Sequence, residues 1–276
     1  MSDHGILWYK ANGLTRSVLA RNFGLLRSQT VVNEYPKCGG TWLCQMLEDL
    51  TGICYPRLRL PSLERNLLHG HYLNTRGITG GVVVWRDPRD ILVSHFHHCI
   101  HFKAMTSDSN TRRVRAAVGI ADDAEVVFDR DFPRYYDRVS SRSIHPYFTI
   151  GDFHASWFGR EPFVHTSYER LHHDATNEIL RIAQLVSKRE FEMEKALQTV
   201  SRFDFSRVAG RSKGEERSKD YLRKGIVGDW KNHLRGEIAE RVQDDLRKEI
   251  EAFESSDLVR PPEPGPLPQG VLGAPS

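Results

Sequence analysis

Long apolar runs are absent from this sequence of 276 residues, and none approaches the roughly 18 residues that a membrane-spanning helix needs. The first residues, MSDHGILWYKANGLTR, also lack the continuous apolar core of a secretory signal. Cysteine is scarce as well, and without such a signal its four copies predict reduced thiols rather than a disulfide framework. These absences predict a cytoplasmic protein with no membrane span.

Charge of one sign is also nearly missing, since the formal net charge is only +3. So small an excess argues against a nucleic-acid partner held by bulk charge, although it leaves a local anion site open. Apolar residues make up 39% of the chain, which is enough for a sizeable core. Only the carboxyl end, rich in proline, has little to bury. We therefore predict one domain over residues 1–258 and a disordered tail over residues 259–276.

Short apolar strands alternate with helical patterns along the domain. The strand patterns cover residues 31–35, 82–85 and 163–166. A helical stripe begins at Thr41 and stops at Gly52, another follows Pro88, and a third is predicted to be capped by Asp174. A last apolar stripe, from Ile238 to Phe253, predicts one long helix. This alternation predicts an α/β fold with a central parallel β-sheet flanked by helices.

The first chemical signal is the turn after the first strand, where residues 35–42 read Tyr-Pro-Lys-Cys-Gly-Gly-Thr-Trp. Free backbone N–H groups at a helix N-terminus favour an anion, and glycines let the backbone approach it closely. Lys37 adds a positive charge and Thr41 adds a hydroxyl. The lysine precedes the glycines, so this is not the nucleoside-triphosphatase pattern. A plain strand-to-helix turn with a surface lysine explains the segment equally well.

Two further segments carry cations beside helix or glycine positions. Arg86 ends the second strand, where α/β sheets present ligand-binding residues, and Ser94 follows two helical turns later. A guanidinium and a hydroxyl suit a phosphate monoester, although a capped helix start with solvated charges is the simpler reading. Near the carboxyl end, Arg223, Lys224 and Gly225 form a loop able to wrap an anion.

In their order and spacing, these three segments resemble the sulfotransferases that use 3′-phosphoadenosine 5′-phosphosulfate (PAPS). The family's first motif, Tyr-Pro-Lys-Ser-Gly-Thr-Thr-Trp, is similar to residues 35–42, and its Arg-Asn/Asp-Pro-x-Asp segment is similar to residues 86–90. Its third motif, Arg-Lys-Gly-x-x-Gly-Asp-Trp-Lys-Asn-His, matches residues 223–233 without a break. The resemblance implies a single P-loop-like domain and a PAPS-dependent enzyme.

The resemblance also implies roles for individual residues. It places the donor's 5′-phosphate at the first motif, at Lys37, Cys38, Gly39, Gly40 and Thr41. It places the 3′-phosphate at Arg86, Ser94, Arg223, Lys224 and Gly225. Around the adenine it places Trp42, Tyr168 and Phe205. No metal is required, because side chains neutralise the phosphates.

For the chemistry, the resemblance implies that Lys37 meets the charge growing on the leaving phosphate and that a histidine removes the acceptor's proton. His69 and His71 are both candidates, and the family's Lys-Ser/Thr-His pattern aligns with His71. The sequence departs from the family at Cys38, which replaces a serine, at Gly40, which replaces a threonine, and at His69, where a lysine is common.

Other readings compete with this one. A P-loop kinase-like phosphotransferase lacks its lysine after the glycines, and a non-catalytic nucleotide-binding protein would use the same cations. The histidines of residues 95–101, with His97 and His101 one turn apart, could instead hold a metal. The acceptor stays open among small molecules, carbohydrates and lipids, as does the oligomeric state. The variable loops predicted to form the acceptor pocket are 53–75, 99–150 and 208–222.

Overall fold

Four parallel strands form the centre of the fold in the computed structural model, which describes residues 3–22, 29–57, 59–61, 64–101, 108–217 and 223–260. The strands are β1 (Gln29–Glu34), β2 (Asn66–Gly70), β3 (Gly81–Trp85) and β4 (Val164–Ser167). Their order in the sheet is β2-β1-β3-β4. The predicted α/β fold with a parallel sheet is therefore confirmed.

Helices flank this sheet and connect its strands. In chain order they are α1 (Asp3–Arg21), α2 (Gly40–Thr51), α3 (Pro88–His101), α4 (Asp108–Val118), α5 (Phe128–Ser140), α6 (Ile150–Trp157), α7 (Tyr168–Ser187), α8 (Met193–Arg202), α9 (Phe205–Ala209), α10 (Trp230–His233), α11 (Gly236–Asp245) and α12 (Arg247–Ser255). A short 3-10 helix, Asp257–Val259, follows. No helix in these described ranges is long and apolar enough to cross a membrane.

The core explains why the sequence folds in this way. The β-branched side chains of β1 and β3 are buried, and the apolar stripe of α2 packs on the sheet with Leu43, Met46, Leu47 and Leu50 fully buried. Each such side chain contributes about 1.5–3 kcal/mol relative to an exposed position. Helix α2 ends at Gly52, whose φ of 75° suits the left-handed cap predicted there. All four cysteines are free thiols.

Two helix predictions need correction. The predicted helix from Ile238 to Phe253 is two helices, because Leu246 adopts φ −111° and ψ 19°, outside the helical region. Helix α7 begins at Tyr168 rather than at Asp174, which instead forms a kink inside it at φ −151° and ψ 79°. The Asp174 carboxylate still accepts a hydrogen bond from the Asn177 backbone N–H at 3.1 Å, so it caps the second part of the helix.

The sheet register decides which residues meet at its carboxyl edge. Val32 pairs with His69 across β1 and β2, and Trp85 pairs with Ser167 across β3 and β4. The residues that follow these strands therefore emerge side by side, as expected for parallel strands. The predicted tail of residues 259–276 falls outside the described residues from 261 onward.

Candidate active site

The turn between β1 and α2 has the backbone geometry of an anion-binding loop. Lys37 and Gly39 both have positive φ, 83° and 100°, and Gly39 is the N-cap of α2. A Cβ on Gly39 would lie 2.9 Å from the ring of Tyr168, so only glycine fits there. The helix dipole and the backbone N–H groups of the first turn of α2 favour negative charge at this turn, where the Gly40 N–H donates to the Glu34 carboxylate.

Lys37 is half-buried in this turn, between charges of both signs. Burial lowers its pKa to about 8, and the Arg86 guanidinium acts in the same direction. The Glu34 carboxylate opposes both effects. Arg86 also donates a hydrogen bond from Nη1 to the Lys37 carbonyl oxygen at 3.2 Å, which ties the end of β3 to the loop. The lysine is therefore a cation held close to its deprotonation point.

Arg86 is fixed by partners from three other parts of the chain. Its guanidinium lies 4.2 Å from the centre of the Tyr168 ring, and its Nη2 donates to the Ile226 carbonyl at 3.2 Å. Asp90, one helical turn further on, lies 3.6 Å from Nη2. The buried Nε of Arg86 has no hydrogen-bond partner within the described residues. An orphaned guanidinium N–H of this kind suits an oxyanion.

The third motif brings two more cations to this edge. Asp229 accepts a hydrogen bond from Lys224 Nζ at 2.7 Å and another from Arg223. Burial alone raises the pKa of Asp229, but the hydrogen bonds that it accepts, first that from His233, hold it well below its ordinary value. Glu216 also contacts Arg223, at 2.8 Å. Acidic side chains thus hold both cations at fixed positions.

Asp90 joins this motif to helix α3. Its two carboxylate oxygens accept hydrogen bonds from the backbone N–H groups of Gly228, at 2.7 Å, and Trp230, at 2.8 Å. The Arg89 guanidinium lies 4.1 Å from the centre of the Trp230 ring. Asp90 is buried, and these two hydrogen bonds hold it against residues that lie 138 and 140 positions further along the chain.

Three aromatic side chains were predicted at the adenine. The Trp42 indole donates to the Phe203 carbonyl at 3.0 Å and lies 6.0 Å from the ring of Tyr168. Phe205, two residues after Phe203, is buried and packs against Gly225, where a Cβ would lie only 2.4 Å from its ring. The structure therefore brings Trp42 and Tyr168 together and packs Phe205 against the third motif at Gly225.

The remaining predicted donor-binding residues lie in or directly before helices α2 and α3. Thr41 is half-buried in the first turn of α2, and Cys38 is fully buried just before it. Burial raises the pKa of the Cys38 thiol well above its ordinary value, so it is neutral. Ser94 is half-buried on α3, two turns after Arg86.

Both histidines predicted as candidate bases meet Glu34. His69 Nε2 lies 3.0 Å from Glu34 Oε1, and His71 Nδ1 lies 3.0 Å from the Glu34 carbonyl oxygen. A carbonyl oxygen only accepts, so His71 Nδ1 carries the proton and its Nε2 holds the lone pair. Burial lowers the pKa of His71 to about 3, and the neighbouring His69 acts in the same direction. The His71 ring is therefore neutral.

More histidines extend from His71 towards α3. The His145 ring centre lies 5.9 Å from that of His71 and 6.3 Å from that of His95. Burial lowers the pKa of each neighbour, to about 3 for His98 and well below the ordinary value for His95. His95 is also hydrogen-bonded to the Tyr135 hydroxyl at 2.5 Å. A row of neutral histidine rings therefore extends from His71 towards α3. The sequence analysis gave no reason to expect His145 in this row.

Two groups of side chains have ligand atoms close enough for a metal. Within the part of the chain that the structure describes, these are Glu34 with His69 and His71, and His97 with Glu216 and His233, each set within 4.8 Å. The predicted pairing of His97 with His101 is not tested, because the His101 side chain lies outside the described residues. His97 instead lies 5.3 Å from His233, ring centre to ring centre.

Sequence reasoning missed the roles of Glu34 and Asp90 in building the site. Both are buried acids, with 4% and 1% of their surface exposed. The signal for Glu34 was an acidic residue inside the otherwise uncharged strand β1. The signal for Asp90 was its position four residues after Arg86, the separation at which an acid and a base come into contact across one helical turn.

The sequence profile of the sulfotransferase domain matches residues 81–254, which is more than half of the chain. This chain belongs to the sulfotransferase family. The match includes the second and third motifs, while the loop at residues 35–42 precedes it. No curated protein sequence matches the chain.

Solved structures share the fold across most of the chain. Retinol dehydratase, in complex with androsterone and the inactive cofactor PAP, is 14% identical with a TM-score of 0.60, covering 87% of this chain and 84% of that one. Mouse sulfotransferase SULT7A1, complexed with PAP, is 18% identical with a TM-score of 0.58, covering 87% and 92%. A complex of retinol dehydratase with retinol and PAP is 15% identical with a TM-score of 0.56, covering 87% and 85%.

Proposed function

We propose that this protein transfers a sulfuryl group from PAPS to a hydroxyl or amine of an acceptor. The observation that carries the proposal is the convergence of Lys37, Arg86 and Arg223 at one edge of the sheet, with the buried Nε of Arg86 lacking a partner among the described residues. Membership of the sulfotransferase family and the PAP bound in solved structures of the same fold support it.

The donor's two phosphate ends would be bound by separate groups of residues. The 5′-phosphosulfate end would be bound by the loop before α2, formed by Lys37, Cys38, Gly39, Gly40 and Thr41. The 3′-phosphate would be bound by Arg86, Ser94, Arg223, Lys224 and Gly225. The contacts of Arg86 with the Lys37 and Ile226 carbonyls support this division, because one guanidinium touches both loops. The adenine would lie among Trp42, Tyr168 and Phe205.

Lys37 would stabilise the leaving group. In an in-line transfer, negative charge grows on the oxygen that bridges sulfur and phosphorus as the S–O bond breaks, and a preorganised cation lowers that barrier. The position of Lys37 at the turn before α2 supports this role, as does the nearby Arg86. Charge stabilisation by side chains requires no metal in this proposal.

His71 would accept the proton of the acceptor hydroxyl. Its Nδ1 donates to the Glu34 carbonyl, which leaves the Nε2 lone pair for the acceptor. The proton moves to Nε2 as the acceptor oxygen bonds to sulfur and PAP departs. His69 is the alternative base, but its Nε2 is engaged by a carboxylate.

The acceptor would be a small molecule, a carbohydrate or a lipid. Androsterone and retinol occupy solved structures of the same fold, which supports a small-molecule alcohol. The neutral imidazoles of His95, His98 and His145, which continue from His71, would line the way to the reacting hydroxyl.

The test is incubation with sulfur-labelled PAPS and a panel of sugars, phenols and sterols, with separate γ-labelled ATP. We expect label in an acceptor and stoichiometric PAP from PAPS, and no phosphoryl transfer from ATP. Arg223→Ala should abolish transfer at low donor concentration. Arg235→Ala, which removes an exposed arginine bonded to the Asn232 carbonyl at 3.3 Å, is the matched control. Phosphoryl transfer from ATP without sulfuryl transfer would contradict the proposal.

A further inference from the structure

Glu34 is a buried carboxylate at the end of a strand whose other side chains are uncharged. All six residues of β1 are buried, and Glu34 exposes 4% of its surface. A carboxylate in such a place is unfavourable unless other groups bond to it. Its partners therefore show what the residue does.

Both carboxylate oxygens of Glu34 are used, and each reaches a different part of the site. Oε2 accepts a hydrogen bond from the Gly40 backbone N–H at 2.6 Å, in the first turn of α2. Oε1 lies 3.0 Å from His69 Nε2. Because a carboxylate only accepts, the His69 ring carries a proton on Nε2. One side chain thus connects the donor loop to the strand that carries the candidate bases.

The Glu34–His69 pair restricts position 40 to glycine. A Cβ on Gly40 would lie 2.8 Å from His69 Nε2 and 2.9 Å from Glu34 Cδ, closer than real Cβ atoms approach such neighbours. Glycine at position 40 and histidine at position 69 are both departures from the motifs that the sequence resembles. One arrangement explains both, since the Glu34–His69 pair occupies the space that a larger residue at position 40 would need.

The Glu34 carboxylate also acts on Lys37. Burial lowers the Lys37 pKa to about 8, and the negative charge of Glu34 opposes that shift. The pKa of Glu34 itself is held below its ordinary value, because hydrogen bonds and charges of His69, the charge of His71 and the Gly40 N–H outweigh the effect of burial. Glu34 is therefore ionised at neutral pH.

We propose that Glu34 is a positioning residue for sulfuryl transfer, whose carboxylate fixes the loop at Gly40, orients His69 and places a negative charge beside Lys37. The proposal rests on the proposed function, because it assigns Lys37 to the leaving group. Through these contacts one carboxylate sets the geometry on the donor side and the proton position on the acceptor side.

Glu34 and Lys37 are each surrounded by charged groups and by neutral titratable groups. Glu34 faces His69, His71, Lys37 and the thiols Cys38 and Cys44. Lys37 faces Glu34, Arg86, Arg223, Cys99, His95 and His98. The thiols are neutral because burial raises their pKa values, and burial keeps His95 and His98 neutral. Glu34 is therefore the anion that opposes the two arginines at Lys37.

Glu34→Gln tests the proposal through the pH dependence of kcat. Without the carboxylate the Lys37 pKa falls, so activity should disappear at a lower pH on the alkaline side than in the natural protein. At pH 8 we expect kcat to fall about 10- to 100-fold, the size of effect seen when the hydrogen-bond partners of metal-bound histidines are removed. The Kd of PAP should not rise, because the glutamine amide oxygen can still accept the Gly40 N–H and the variant removes a negative charge near an anion.

Glu178→Gln is the matched control. Glu178 is also a buried carboxylate, paired with Arg181 at 2.6 Å on α7. Its loss should lower the melting temperature without moving the alkaline limit of activity. If Glu34→Gln does not fold, Glu34→Asp keeps the charge and should retain the alkaline limit while losing turnover.

The proposal is overturned if the alkaline limit of activity in Glu34→Gln equals that of the natural protein, or if Glu34→Asp, which keeps the charge, displaces that limit. If the natural protein shows no sulfuryl transfer, the proposed function has failed instead. Glu34 is then judged by nitrogen NMR of His69, where loss of the Nε2 proton preference in Glu34→Gln supports the positioning role and an unchanged ring contradicts it.

Discussion

The guanidinium of Arg86 lies over the ring of Tyr168, 4.2 Å from its centre. Each residue directly follows its strand, and the last residues of those strands, Trp85 and Ser167, are paired in the sheet. The contact is thus a consequence of parallel register. It places a buried cation beside an aromatic wall at the edge where α/β folds bind ligands.

Lys37→Ala should lower kcat by about 10²–10³, because it removes a cation that meets charge appearing in the transition state. The protonated lysine is the active form, and its pKa is about 8. Activity should therefore fall as pH rises through about 8, and Lys37→Arg, which stays charged, should shift that fall to higher pH. The check is kcat measured against pH.

The control for this prediction is Lys195→Ala. Lys195 Nζ donates to the Leu50 carbonyl at 2.7 Å on the surface between α8 and α2. Its removal should leave both kcat and the alkaline limit unchanged. Normal turnover in Lys37→Ala would assign the leaving-group role to another residue.

His71→Ala should lower kcat by about 10²–10⁴, the usual value of a general base, with little change in PAP affinity. The neutral ring is the active form, and burial lowers its pKa to about 3. Protonation of His71 should therefore reduce activity only as pH falls towards that value. Turnover and PAP titrations of the purified variants provide the measurement.

His69→Ala should be milder, and a reversed ranking would transfer the role to His69. The structural control is His165→Ala. The ring nitrogens of His165 are hydrogen-bonded to Trp85 at 2.9 Å and to the Arg160 carbonyl at 3.0 Å. The His165→Ala variant should have a lower melting temperature and an unchanged kcat.

The sequence predicted much of the fold because buried strands and amphipathic helices have simple periodicities. The strand at β3 and the helix ending at Gly52 are examples. The break at Leu246 was missed because the apolar stripe continues across it, with Val242 and Ile250 both buried. Periodicity reports which face is buried and not whether the axis bends.

The site was predictable only where a motif is local. The loop at Lys37 and the cations at Arg223 and Lys224 came from short segments. The docking of Asp90 on Gly228 and Trp230 depends on residues about 140 positions apart, which no spacing rule reaches. The same is true of Glu34 with His69, because their contact depends on the strand order.

Gly225→Ala should weaken donor binding, and Gly210→Ala is a matched control. Their φ angles are 66° and 65°, so both variants should cost about 1–3 kcal/mol of stability from backbone strain. Only at Gly225 would the new Cβ meet a neighbour, 2.4 Å from Phe205, while nothing lies within 4 Å at Gly210. Thermal unfolding with and without PAP separates the two effects. Equal loss of PAP binding in both variants would refute the proposed place of Phe205.

The most direct test of the account is the shift in melting temperature produced by PAP compared with ADP and AMP. Because Arg86, Ser94 and Arg223 are assigned to the 3′-phosphate, PAP should stabilise the folded protein far more than either nucleotide. A ligand at 100 times its Kd adds about 2.7 kcal/mol. Arg223→Ala should remove most of the difference, and Arg235→Ala should keep it. Equal stabilisation by PAP and AMP would contradict a PAPS-binding site.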